Sequence, residues 1–143
     1  MIPSFYDGSS FTAYTFFGAH IEPNGVLFRV YAPNANAVSV IGDFNDWQPA
    51  PMEREENPGV WYLWYEGAQE GQRYKYRIDE YGGRTRARAD PFGRGSELRP
   101  ATCSVITETG RFQFTDEKWM KGRAADFYNK PINIYEVHMG SWK

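Results

Sequence analysis

The feature that most constrains the fold is a strict alternation of apolar and polar residues over residues 72–80. The apolar positions are Tyr74, Tyr76 and Ile78, and the polar positions between them are Lys75, Arg77 and Asp79. This period-two pattern predicts a β-strand with one buried face and one solvated face. The sequence Tyr81-Gly82-Gly83 follows directly and predicts a hairpin turn.

Short segments of the same kind recur along the chain, each bounded by Pro, Gly or Asn. Further strands are predicted at residues 26–32, 37–41, 60–65 and 84–89. Aromatic residues make up 17% of the chain, and aromatic side chains favour both strands and sugar-stacking surfaces. Short strands at regular spacing, separated by turn residues, predict an all-β, immunoglobulin-like antiparallel β-sandwich.

The chain divides into four predicted segments. Residues 1–13 are expected to form a flexible lead-in, residues 14–114 the β-sandwich, and residues 115–131 a linker with one short helical turn. Thr115 or Asp116 is expected to cap that turn, and Gly122 to end it. Residues 132–143 contain an apolar stretch after Pro131 that predicts one more strand, whose partners are missing. We therefore expect a truncated protein.

Composition excludes several classes of function. The net charge is -2 and the basic residues are dispersed, so no nucleic-acid-binding patch is predicted. No run approaches the ~18 apolar residues of a membrane span, and we expect a soluble cytoplasmic protein. Cys103 is the one cysteine, and His20 lies far from His138 in sequence, so neither a disulfide nor a metal site is predicted.

Residues 38–47 form a short apolar strand that runs into a polar turn and ends on Trp47. Gly42, Asp43, Asn45 and Asp46 supply the turn chemistry. A capping role in the turn is the expected role of both aspartates. A ring at this position can be a flat platform for a ligand, or it can pack on its own sheet or on a neighbouring domain. The residues alone leave both interpretations open.

The strand predicted at residues 60–65 contains two tryptophans, Trp61 and Trp64, and their spacing places them on opposite faces of the strand. At most one of them is expected to lie in the core.

Four motifs resemble the N-terminal part of bacterial 1,4-alpha-glucan branching enzymes, and the resemblance extends from about Phe17 to the end of the chain. The motifs are residues 17–20, 28–35, 40–47 and 134–142. The second and third are shared with family-48 carbohydrate-binding modules. The fourth resembles the first barrel strand of branching enzymes, and its Gly-Ser-Trp ending distinguishes it from debranching relatives.

The resemblance implies a β-sandwich in front of an alpha-amylase-type (β/α)8 barrel that begins with residues 132–143. Enzymes of this family cut an α-1,4-glucan and transfer the released chain to a 6-hydroxyl, by a retaining reaction that uses two carboxylates and no cofactor. A complete barrel takes roughly 250 residues. The catalytic carboxylates are therefore expected to be absent here, and this chain to be inactive alone.

The resemblance also implies a binding surface for α-1,4-glucans such as glycogen and maltooligosaccharides. In related glycogen-binding modules, the tryptophan that ends the third motif stacks on sugar, which designates Trp47, and a strand lysine reaches hydroxyls, which designates Lys75. Asn45 and Tyr81 complete the predicted set. A second tryptophan of those modules is missing from the turn at residues 81–84, where Tyr81 is the aromatic residue. We therefore expect dissociation constants on the order of millimolar.

Three functions remain as hypotheses. The first is a non-catalytic glucan-binding and docking module of a branching enzyme in glycogen biosynthesis. The second is a structural module that packs on the missing barrel in cis, or the equivalent module of a debranching enzyme. The third is a stand-alone regulatory glycogen-binding subunit, against which the apolar stretch at residues 132–139 argues.

Overall fold

The computed structural model describes residues 3–110, 112–123, 129, 131 and 133–141. The chain divides into two compact units, Met1–Arg111 and Phe112–Lys143. Among the described residues, no helix is both long enough and apolar enough to cross a membrane.

The described residues of the first unit form ten strands and one short helix. The helix α1 is Pro3–Tyr6, and short 3-10 turns occupy Ala13–Thr15 and Asp43–Asn45. In chain order the strands are β1 (Gly18–Glu22), β2 (Gly25–Tyr31), β3 (Ala35–Gly42), β4 (Ala50–Pro51), β5 (Glu53–Arg54), β6 (Val60–Glu66), β7 (Arg73–Glu80), β8 (Thr85–Arg88), β9 (Gly95–Ser96) and β10 (Ser104–Val105).

The strands form two antiparallel sheets. The first sheet has the order β1-β2-β6-β5, and the second has the order β4-β3-β7-β10-β9, with β8 also paired to β7. The predicted all-β antiparallel fold is confirmed. The strand predicted at residues 72–80 is β7, and it pairs along most of its length with β3, where Val40 lies opposite Tyr76.

The core lies between the two sheets. The ring centre of Phe28 in the first sheet lies 5.2 Å from the ring centre of Tyr74 in the second sheet, and the two rings meet edge to face. Val40 and Tyr76 are almost fully buried beside them. Full burial of each such side chain contributes about 1.5–3 kcal/mol, so this interface is the main source of stability.

The two tryptophans of β6 differ in the predicted way. Trp61 is 5% exposed and its indole N–H donates to the carbonyl oxygen of Ala32 at 3.0 Å, whereas Trp64 is 43% exposed. One tryptophan therefore belongs to the core, as predicted, and the other lies on the outer surface of the first sheet.

The N-terminal segment, expected as a flexible lead-in, instead begins with a helix that packs on the sandwich. The ring of Phe5 lies 4.7 Å from that of Phe17 and 5.0 Å from that of Tyr31. The hydroxyl of Tyr6 donates to the carbonyl oxygen of Pro58 at 2.8 Å. Burial of these rings against one another is a tertiary effect that overrides the weak local pattern.

The second unit contains the helix α2 (Glu117–Lys121) and a 3-10 turn at Met139–Ser141. The helix lies where the sequence predicts a helical turn, and the side chain of Asp116 at its N-cap makes no capping hydrogen bond. Residues 133–138 have no regular secondary structure, so the strand predicted at residues 132–139 is not formed among the described ones. A strand requires a hydrogen-bonded neighbour, and the described residues of this unit contain none. Residues 132, 142 and 143 lie outside the described residues.

Candidate functional site

The loop that carries Trp47 has an unusual backbone. It follows β3 and begins with the 3-10 turn Asp43–Asn45. Asp46 and Trp47 then adopt φ angles of 51° and 59°. This left-handed conformation costs roughly 1–2 kcal/mol per residue for side chains other than glycine. The loop is closed by the amide of Trp47, which donates to the carbonyl oxygen of Gly42 at 2.9 Å.

Asn45 holds this loop in place. Its side-chain oxygen accepts a hydrogen bond from the amide of Gly42 at 2.9 Å, and its side-chain nitrogen donates to the carbonyl oxygen of Val40 at 3.1 Å. Both polar atoms of the side chain thus serve the loop. Asn45, which the resemblance designated as a glucan contact, is better assigned to the scaffold beneath Trp47.

Asp43 does not have the simple turn-capping role expected from the sequence. Its carboxylate accepts hydrogen bonds from Nε and Nη2 of Arg73 at 2.9 and 2.8 Å, and from the backbone amide of Arg73 at 2.8 Å. It also accepts the indole N–H of Trp47 at 3.2 Å. The hydrogen bonds and charge of Arg73 lower the pKa of the Asp43 carboxyl to about 2. Asp43 is therefore ionised at any pH near neutrality.

Arg73 is a residue that the sequence interpretation missed. Its guanidinium carbon lies 6.0 Å from the centre of the Trp47 ring, at the outer limit of a cation–π contact. Nη1 lies 3.4 Å from a carboxylate oxygen of Glu97, and hydrogen bonds to Asp43 raise the pKa of the guanidinium further. One feature of the sequence could have identified Arg73 as a site residue: in the alternating strand it lies on the same polar face as Lys75.

Lys75 lies two residues beyond Arg73 on the same outward face, about 7 Å away along the strand. Lys75 is opposite Ile41 in the neighbouring strand, and Ile41 lies two residues before the Trp47 loop begins at Asp43. Its ammonium donates to the hydroxyl of Thr102 at 2.7 Å, and the side chain is half-buried. The structure therefore brings the Trp47 loop and Lys75 to the same end of the second sheet.

Tyr81 lies elsewhere. It follows Glu80, which pairs with Ala35 at the start of β3, whereas the Trp47 loop follows the last residue of β3. Six residues of extended chain separate Tyr81 from Lys75, which corresponds to about 20 Å. Tyr81 is 70% exposed. The fold does not group Tyr81 with the other predicted site residues, because the antiparallel pairing of β3 and β7 places it at the opposite end.

The arrangement suits binding of a neutral, hydroxyl-rich ligand. A half-buried indole offers a flat apolar surface, and the neighbouring cationic groups are hydrogen-bond donors. Among the described residues, no group of three or more His, Cys, Asp or Glu side chains could hold a metal ion. Burial raises the pKa of the Cys103 thiol, which disfavours the reactive thiolate.

Comparison with known proteins gives a match across this site. The sequence model of carbohydrate-binding module 48, described as the isoamylase N-terminal domain, matches residues 16–93. This range includes β1 to β8 and every residue of the predicted binding set.

Curated relatives extend the match to nearly the whole chain. The chain is 41% identical over 142 residues to the 1,4-alpha-glucan branching enzyme GlgB of Fusobacterium nucleatum, covering 97% of this chain and 23% of the relative. It is 48% identical over 127 residues to the enzyme of the same name from Protochlamydia amoebophila, covering 87% of this chain and 18% of the relative. The chain thus spans about a fifth of the length of these relatives.

Solved structures show a similar fold. Pullulanase from Bacillus acidopullulyticus superposes with a TM-score of 0.55 and 26% sequence identity, covering 64% of this chain and 12% of that chain.

Proposed function

The chain belongs to carbohydrate-binding module family 48, and from this membership we propose that it is the N-terminal, non-catalytic glucan-binding and docking module of a 1,4-alpha-glucan branching enzyme in glycogen biosynthesis. Relatives with that name match 97% of the chain in several species. The branching reaction itself then depends on a barrel whose first strand corresponds to residues 132–143. The immunoglobulin-like sandwich of this chain serves that cytoplasmic enzyme in cis.

The observation that carries the binding proposal is the placement of Trp47. Its N–H is occupied by Asp43, so the indole offers a ligand its ring surface. The apolar face of a glucose unit stacks on such a surface. The ammonium of Lys75 supplies N–H donors at the same end of the sheet, and hydroxyls of an α-1,4-glucan can accept from them.

The affinity should be low. Trp47 is the aromatic platform at this end of the sheet, and Tyr81 lies about 20 Å from Lys75. Tyr81 can therefore contact a long glucan only as a separate, distant group. A single stacked ring with a few solvated donors is consistent with a dissociation constant on the order of 1 mM, which corresponds to about -4 kcal/mol.

A maltoheptaose titration followed by two-dimensional 15N NMR tests the proposal. The wild-type chain should give signal shifts around Trp47 and Lys75 that saturate in the millimolar range. Trp47→Ala should abolish them. Trp64→Ala is the matched control, because it removes an exposed tryptophan from the other sheet, and it should leave the dissociation constant unchanged. No shift at tens of millimolar, or an unaffected Trp47→Ala variant, would refute glucan binding at this surface.

One observation favours a purely structural module as a second candidate. The outer face of the first sheet and the adjoining helix α1 expose three large apolar side chains, namely Tyr6, Tyr31 and Trp64. Such a surface suits packing against a further domain, in a branching enzyme or in a debranching enzyme. This candidate predicts no response to maltoheptaose, and self-association of the isolated chain that sedimentation velocity would detect.

A further inference from the structure

We infer that Asp43 and Arg73 form a clamp that fixes the orientation of the Trp47 ring, and that both are positioning residues of the glucan surface. This inference rests on the proposed function. It assigns a role in recognition to an ion pair that neither touches the sugar in the proposed mode nor follows from the sequence motif.

The carboxylate of Asp43 joins two separate elements. One oxygen accepts the indole N–H of Trp47 at 3.2 Å and Nη2 of Arg73 at 2.8 Å. The other accepts the backbone amide and Nε of Arg73 at 2.8 and 2.9 Å. The indole in the loop is thereby tied through one carboxylate to the first residue of β7. A guanidinium held by two parallel bonds is fixed in direction as well as in distance.

The guanidinium of Arg73 is held at a second point. Nη1 lies 3.4 Å from Glu97, whose other oxygen accepts the amide of Cys103 at 3.1 Å. Arg73 is thus held between the Trp47 loop and the segment that joins β9 and β10. Glu97 therefore supports the clamp through the guanidinium of Arg73.

The loop needs such a clamp because Trp47 is only half-buried. Core side chains are held in one rotamer by packing, as Trp61 is, but a half-buried indole keeps rotational freedom unless a polar partner removes it. A ligand that must order one such side chain binds about 2- to 12-fold more weakly than one that meets a fixed ring. The hydrogen bond from the indole to Asp43 orders the ring before the ligand arrives.

Three variants test the inference in the full chain, with maltoheptaose as the probe. Asp43→Ala removes the acceptor of the indole N–H and should weaken binding about 2- to 12-fold. Asp43→Asn keeps an oxygen acceptor and should restore at least part of the affinity. Glu56→Ala, the control, removes an exposed carboxylate from the loop between β5 and β6 and should leave the dissociation constant unchanged.

The indole N–H signal of Trp47 in the 15N spectrum, assigned with Trp47→Phe, supplies a readout independent of binding. In Asp43→Ala this proton should shift upfield and exchange faster with water, while the melting temperature measures any general loss of structure. An unchanged indole signal in Asp43→Ala overturns the clamp. So does a dissociation constant equal to that of the wild type when the indole signal has moved. Absence of binding by the wild type refutes the proposed function instead, and the indole signal then still decides whether the clamp exists.

Discussion

Replacing Asp90 with alanine should lower the free energy of unfolding of the sandwich by about 3 kcal/mol. Asp90 is 7% exposed, and one of its carboxylate oxygens accepts the hydroxyls of Tyr74 and Tyr76 at 2.6 and 3.2 Å. The other accepts the amide of Phe92 at 2.8 Å. Burial raises the pKa of both tyrosines, so their hydroxyls stay protonated and need an acceptor.

The magnitude comes from these three bonds. A hydrogen bond to a charged acceptor contributes about 1.5–3 kcal/mol, so three of them contribute at least about 4.5 kcal/mol. The buried carboxylate also carries a desolvation cost, and the variant no longer has it. The net loss of stability is therefore smaller than the summed hydrogen bonds. The hydroxyl of Tyr76 has a second acceptor, the carbonyl oxygen of Arg29 at 3.4 Å. A net loss of about 3 kcal/mol follows, equivalent to roughly 12 °C in melting temperature for a unit of this size.

Thermal unfolding followed by near-ultraviolet circular dichroism, together with urea titration, measures this loss. Asp90→Asn is the matched variant. An amide oxygen still accepts from Phe92, and its nitrogen can donate to a tyrosine hydroxyl, so the loss should be smaller than in Asp90→Ala. A loss below about 1 kcal/mol in Asp90→Ala would refute the reasoning, because the carboxylate would then cost about as much as its hydrogen bonds contribute.

The pH dependence of the difference in unfolding free energy between wild type and Asp90→Ala tests the protonation of the Asp90 carboxyl. Burial raises the pKa of the Asp90 carboxyl, so the folded chain binds a proton there more readily than the unfolded chain does. The contribution of such a group is largest below the unfolded pKa of about 3.9 and falls as the pH rises through the raised folded pKa. The stability gap between wild type and Asp90→Ala should therefore be smaller at pH 7 than at pH 4. A gap that widens over this range contradicts the raised pKa.

Three further outcomes are expected. Asp43→Asn should cost about 1 kcal/mol in urea unfolding at pH 7. The pKa of the Asp43 carboxyl is lowered to about 2 in the folded chain, so that loss of stability should persist above pH 4 and disappear as the pH falls towards 2. A loss that does not depend on pH would contradict the ion pair. Gly42→Ala should cost about 1–3 kcal/mol by thermal unfolding, since a Cβ there would meet a backbone oxygen of β7 at 2.5 Å. Gly67→Ala meets no neighbouring atom but has a φ of 77°, so it should cost about 1 kcal/mol from backbone strain alone. A negligible cost of Gly42→Ala, which has an extended backbone, would contradict the close approach. Trp61→Phe should cost about 2 kcal/mol because a buried indole hydrogen bond is lost, whereas an effect of that size in the exposed Trp64→Phe would contradict the burial pattern.

The sheets could be predicted from the sequence because their signals are local. The alternation at residues 72–80 gave β7 to within one residue, and the opposite faces of Trp61 and Trp64 followed from the same period of two. Turn residues after β3 correctly indicated an irregular loop before Trp47. Each of these signals lies within a window of about ten residues.

The contacts that build the candidate site could not be predicted in this way. Asp43 meets Arg73 across 30 positions of sequence, and only the pairing of β3 with β7 brings them together. The same pairing separates Tyr81 from Trp47, although the resemblance had grouped them. The packing of Phe5 on Phe17 and Tyr31 likewise depends on tertiary contacts that no local pattern encodes.

The backbone at Trp47 bears on one of the interpretations that the sequence left open, namely that the ring only fills the core of its own sheet. A tryptophan that serves only to fill the core gains stability by burial, as the 5% exposed Trp61 does. Trp47 is half-buried, yet its φ of 59° costs roughly 1–2 kcal/mol, and the hydrogen bonds of Asn45 and Asp43 maintain that conformation. Residues that break a local backbone rule without a matching gain in burial are concentrated at functional sites. The strained and clamped indole therefore argues against simple core filling, and it is consistent with the proposed ligand platform.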